Sequence, residues 1–136
     1  MSAGSGPMAV AVSTAALSTT AETVIATLPP SNWNDPQGNL LSAFVIASAT
    51  GAATLTLRIR QTSLTGALVT GATSIYTFAG AATTVSAGSL EVVDTSSFAL
   101  TPTQQATYVL TAQASVSSTI TPTGGVLELE TMAPVQ

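Results

Sequence analysis

The sequence predicts an all-β protein, an antiparallel sandwich or barrel, and three observations carry that expectation. Short runs rich in β-branched and apolar residues recur along the chain, several of them with apolar side chains at every second position. Glycines and prolines separate nearly all of these runs, among them Gly38, Gly51, Gly66, Gly71, Gly80, Gly88, Pro102 and Pro122. No segment sustains a helical period between capping residues, so helix is expected to be minor. About eight to ten short strands with such spacing fit a sandwich or a barrel. At 136 residues the chain suits one domain, and a domain of that size buries roughly two thirds of its unfolded surface.

Taken in order, residues 1–7 (MSAGSGP) are rich in Gly and Ser and are expected to stay mobile unless something captures them. MAVAVS, Met8 to Ser13, can form a strand. The Ala-rich text over 9–21 invites a helix, but its Ser and Thr side chains compete for backbone hydrogen bonds and argue against one. The expectation is an extended N-terminal arm over 1–21, followed by a β domain over 22–136. Within that domain the predicted strands are ETVIATL, LLSAFVIAS, ATLTLRIRQ, ALVTG, SIYTF, TTVSAG, SLEVVDT, ATYVLTAQAS, STITP and GVLELET. Pro122, Gly124 and Gly125 are taken as punctuation between the last two.

Because successive strand side chains point to opposite faces, Leu55, Leu57 and Ile59 share an inward face and Thr56, Arg58 and Arg60 an outward one. The same alternation places Tyr108, Leu110 and Ala112 inward, with Thr107, Val109 and Thr111 outward. It also sends Leu127 and Leu129 inward, with Glu128 and Glu130 outward.

Arg58 and Arg60 are the only cationic side chains, since lysine and histidine are absent. Their spacing mirrors that of Glu128 and Glu130, and a charge ladder forms if the two strands pair or meet across subunits. Glu91 is a third candidate partner. Two alternatives remain: solvated arginines that deter edge-to-edge association, or a site for an anion or other ligand.

Charged residues are 6% of the chain, against about 25% in ordinary soluble proteins, while Ser and Thr together reach roughly 30% of it. The exterior is therefore expected to be hydroxyl and methyl more than ionic. A net charge of −4 with two cations argues against nucleic acid, whose backbone is bound by several Lys or Arg. It argues equally against attraction to anionic membrane. The uncharged stretch 36–57 is broken by glycines and hydroxyls and does not read as a membrane span. MSAGSGPMAVAVSTAALSTT lacks the basic region that opens a secretory signal.

Cysteine is absent, so neither a disulfide framework nor thiolate chemistry is on offer. Without His, Cys or Lys there is no Ser-His-Asp arrangement, no Schiff base and no His-based metal site. No cofactor is expected. Glu128 and Glu130, with Cα atoms about 6.5–7 Å apart on a strand, fall in the range of about 5–9.5 Å that separates glycosidase carboxylates. Such sites draw on separate strands and aromatic platforms, and aromatics are only 4% here. A non-enzyme is expected.

The loop LPPSNWNDPQGNL, residues 28–40, holds the single tryptophan, Trp33. It is either an exposed anchor for a partner or glycan or a plug folded onto the end of the sandwich. Asp35 and Asp94 read as turn-forming positions, and too few carboxylates surround them for a calcium site.

Four segments, TLTLRIRQTSLTGALV, SLEVVDT, ATYVLTAQAS and GVLELE, resemble in their order the small jelly-roll proteins of tailed bacteriophages that decorate or cement capsids or form knobs on fibres. The resemblance covers roughly residues 40–130. It implies a jelly-roll sandwich forming a homotrimer on the outside of an icosahedral head, with major capsid protein as the partner. In such a role the arm residues Met8, Ala9, Val10, Ala11, Val12 and Ser13 make intermolecular contacts by adding a strand to a neighbour's sheet edge. Arg58, Arg60, Glu128 and Glu130 then serve as interface or register pairs. Phe44, Tyr76, Phe78, Phe98 and Tyr108 are the candidates for an aromatic trimer interior. A fibre knob that recognises a receptor or glycan through Trp33, and a self-assembling shell or filament subunit, are the alternatives.

Overall fold

The computed structural model describes residues 8–28, 39–62, 73–77, 83–85, 88, 90–94, 98–100 and 107–131. Among them are ten strands: β1 (Met8–Ala11), β2 (Thr23–Leu28), β3 (Asn39–Ala49), β4 (Ala53–Thr62), β5 (Thr73–Thr77), β6 (Thr83–Val85), β7 (Leu90–Asp94), β8 (Phe98–Leu100), β9 (Thr107–Ala114) and β10 (Ile120–Thr131). They form two antiparallel sheets. The first runs β1-β10-β3-β7, with β8 also on β3, and the second runs β2-β9-β4-β5, with β6 also on β4. Both the all-β class and the sandwich expected from the sequence are what the chain forms. The expected strand ALVTG lies outside the described residues, and β8 is a strand absent from the sequence expectation.

The core lies between the sheets and follows the alternation of the sequence. Leu41, Ala43, Val45, Ala47 and Ala49 of β3 face Leu55, Leu57 and Ile59 of β4 across the interior, with Leu110 and Ala112 of β9 and Leu127 and Leu129 of β10. Alanine at many of these positions leaves little volume to fill, so branched residues such as Leu57 and Ile59 carry most of the burial, each contributing about 1.5–3 kcal/mol.

Register shifts fall in three strand pairs, β10 with β3, β2 with β9 and β4 with β5, and the first two correct the simple period. In β10, Pro122 pairs with Ala47 and Gly124 with Ile46, leaving Thr123 as the extra residue. Its hydroxyl donates to the Ile46 carbonyl at 3.2 Å. Before the bulge Ile120 and Pro122 are buried; after it, Leu127 and Leu129. The inserted residue switches the parity, and the two runs read as separate strands are one. Pro122 is tolerated because β1 covers β10 only over residues 126–129 and needs no donor there. In β2 the register shifts between Val24 and Ala26, so Ile25 and Ala26 are both buried.

Gly125 marks a close approach within the same region. Its φ is 137°, and a Cβ there would lie 2.2 Å from the Phe44 carbonyl oxygen and 2.9 Å from the Val45 Cα. Only glycine fits without moving β3.

The segment expected to leave the domain as an arm is bound to the chain's own sandwich. Met8–Ala11 pairs with residues 126–129 of β10. The Val12 amide donates to the Gly125 carbonyl at 3.1 Å and the Ser13 amide to the Ile25 carbonyl at 2.7 Å, carrying the chain from the first sheet to the second. Val12 and Leu17 are buried in the core. Leu17 donates to the Ile120 carbonyl at 2.9 Å and accepts from the Ser118 amide at 3.0 Å. The physical reason is local: the β10 edge presents unpaired donors and acceptors, and residues 8–13 reach it without leaving the molecule.

Candidate interaction surfaces

The two outer faces of the sandwich differ in chemistry. On the second sheet, register aligns Val24, Thr111 and Arg58 in one row across β2, β9 and β4, and Thr27, Val109 and Arg60 in the next. Glu22, two residues before Val24, lies at the end of this face. Its carboxylate takes both Nε and Nη2 of Arg60 at 2.5 and 2.9 Å, in a bidentate pair. It also accepts from the Thr111 hydroxyl at 2.5 Å and stands 3.6 Å from Nη1 of Arg58. That same Arg58 nitrogen donates to the Gln113 side-chain oxygen at 2.8 Å, and Gln113 Nε2 donates to the Thr20 carbonyl at 3.2 Å.

The Arg60 guanidinium is the main cause of a Glu22 carboxyl held below its ordinary value; burial opposes the shift, and Thr111 and the charge of Arg58 reinforce it. Glu22 in turn raises Arg60. The carboxylate side chain is only 16% exposed, so the cluster sits between surface and interior.

This corrects the expected ladder within the chain. Among the described residues the arginines pair with Glu22, and the strands that carry Glu91, Glu128 and Glu130 lie apart from them, because β7 and β10 belong to the first sheet and β4 to the second. Outward residues of opposite sheets are separated by the whole thickness of the core, about 10 Å between sheets plus the side chains. Glu22 is the residue that sequence reasoning missed. It shares alternation with Val24, but only the order β2-β9-β4 brings that face to the arginines. The same order buries Thr107, Val109 and Thr111, which alternation alone sends to solvent.

A surface hollow of about 360 Å³ beside this cluster is lined by Thr20, Thr54, Thr56, Gln113, Ala114 and Ser115. Among the described residues no ionisable group lines it, so those residues offer hydrogen bonds without charge.

The first sheet presents the opposite character. Register sets Val126 beside Phe44, Ile46 beside Val92, and Ser48 beside Leu90, all on the outward side. Leu90 is 66% exposed and Val92 59%. Ala9 and Ala11 of β1 extend the face past β10. Glu128 lies at its margin, beside Ser42 and Ala9. Of the aromatic candidates, Phe44 is on this face, whereas Tyr108 is buried in the core and so is excluded from a trimer interior. Trp33 and Phe78 lie outside the described residues, and Glu130 is placed only by its register opposite Leu40. Among the described residues no three Asp or Glu converge as metal ligands.

Consecutive strands of this antiparallel sandwich repeatedly change sheet, an arrangement of jelly-roll type, and comparison with solved structures finds a similar fold in viral chains. The chain superposes on a chain of infectious bursal disease virus strain Gt with a TM-score of 0.58 at 12% identity, over 92% of this chain and 33% of that one. For strain Gx the TM-score is 0.56 at 11% identity, over 95% and 34%. For the VP2 subviral particle of the same virus it is 0.52 at 13%, over 92% and 33%. The chain thus spans about a third of the length of these viral chains, and at such identities the likeness establishes the fold. No family model matches the sequence, and no curated protein does.

Proposed function

We propose that the chain is a structural protein of a virion, and more specifically a decoration protein on the exterior of an icosahedral bacteriophage head. There it bridges major capsid protein subunits as a homotrimer. The observation that carries the reading is the match of nearly the whole chain to part of a viral capsid chain. The composition supports a role without catalysis or cofactor, since the sequence has no His, Cys or Lys. The test is co-sedimentation of the purified protein with empty shells assembled from the major capsid protein encoded by the same genome. Saturable binding that raises the melting temperature of the shells is the expected result. A chain that stays in the supernatant at every concentration sinks the proposal.

A second reading, a subunit that builds its own shell, draws on the subviral particle formed by the VP2 neighbour. Light scattering separates the two. A mass near three times 13.5 kDa supports the decoration trimer, and megadalton particles from the purified chain alone support the shell subunit.

A further inference from the structure

We infer that the outer face of the first sheet is the docking face, and that it fits a protein surface with an apolar centre and a basic rim. The inference rests on the reading of the chain as a protein that binds a capsid shell. Six side chains make the centre: Ala11, Val126, Phe44, Ile46, Val92 and Leu90. They cross four neighbouring strands, and three gaps of about 4.8 Å by two steps of about 6.8 Å give roughly 14 Å in each direction. With the side chains added, this is an apolar patch on the order of 200–300 Å², well short of the roughly 800 Å² that each partner buries in a stable interface. The contact must therefore reach the rim, and the rim is acidic. Glu128 stands on this face at one side, and Asp94 takes the register position opposite Phe44 at the other.

Charge decides the occupant. The chain has two cations in all, and both lie on the opposite sheet, bound to Glu22. A second copy laid face to face brings no cation to Glu128, because its own two lie on its opposite sheet. A partner with Lys or Arg around an apolar centre complements both zones.

The probe is the empty shell assembled from the major capsid protein of the same genome, with binding followed by co-sedimentation. Val92→Glu and, as a milder change that preserves strand propensity, Leu90→Gln together with Val92→Thr alter exposed positions and leave the core untouched. Each is expected to weaken binding about tenfold or more, with an unchanged circular dichroism spectrum and melting temperature. Thr56→Glu on the opposite face is expected to bind as the unaltered chain does. Raising salt should weaken binding, because opposite charges attract across the rim.

If Thr56→Glu abolishes binding and the Val92 variants do not, the docking face is wrong while the reading of the protein survives. If the unaltered chain does not bind, both fall. If light scattering shows self-association that strengthens with salt and is lost in Val92→Glu, a second copy covers the face and the basic partner is ruled out.

Discussion

At the scale of single residues, Glu22 and Gly125 are the positions whose chemistry is set by their surroundings. Glu22 is held ionised by Arg60 first, then by Thr111 and Arg58, so its folded carboxyl lies below the ordinary 4.5. A depressed carboxylate stabilises the fold fully above its unfolded value, and that contribution is lost as pH falls through the folded value. Glu22→Gln is therefore expected to cost about 1–3 kcal/mol at pH 7, between a surface pair and a buried one. Urea unfolding at pH 7 and pH 3 checks this: the gap between the variant and the unaltered chain should shrink at the lower pH, and a constant gap rules out the ionic role. Gly125→Ala forces a Cβ against the β3 backbone at a positive φ, with an expected loss of at least about 2–3 kcal/mol. Gly51→Ala meets nothing closer than 4.0 Å and should stay within about 0.5 kcal/mol. Equal midpoints for the two variants in denaturant would count against the close approach at residue 125.

At the scale of elements, β1 and β10 depend on each other. β1 is only four residues long, too short to persist alone, and it covers the β10 edge between residues 126 and 129. Removing residues 1–13 takes away that ladder and the buried Val12, for an expected loss of about 2–4 kcal/mol. The bared edge of β10 should also promote association. Thermal unfolding with size exclusion tests both parts, and a truncated chain as stable and as monodisperse as the full one would show that residues 8–13 add nothing to the sandwich. The alternation Ile120, Pro122 and then Leu127, Leu129 carried the bulge of β10 in plain view, because a change of parity within one strand requires an inserted residue. Pro122, Gly124 and Gly125 disguised it: proline and glycine most often mark turns, and here they lie inside a strand, Pro122 next to a bulge and Gly125 against a close backbone neighbour.

At the scale of the whole molecule, the sandwich is asymmetric: one outer face carries hydroxyls and an ion cluster, the other an apolar patch. β9 lies between β2 and β4 with both faces buried over Thr107 to Ala112, which predicts that its amides exchange with solvent among the slowest in the protein. Hydrogen-exchange mass spectrometry comparing β9 with the edge strand β7 checks this, and equal rates would contradict the layered order. The sequence by itself determined the all-β class, most strands and the inward residues of β4, β9 and β10, because side-chain alternation is a local property of extended chain. It also limited the ionic chemistry to two arginines and six acids. Only the tertiary structure decided that Glu22 is the partner of those arginines, that residues 8–13 pair at home, and that Phe44, Ile46, Leu90 and Val92 share one outward patch. Those are statements about which strands are neighbours, and strand order is fixed by contacts between residues far apart in sequence, to which a local pattern carries no address.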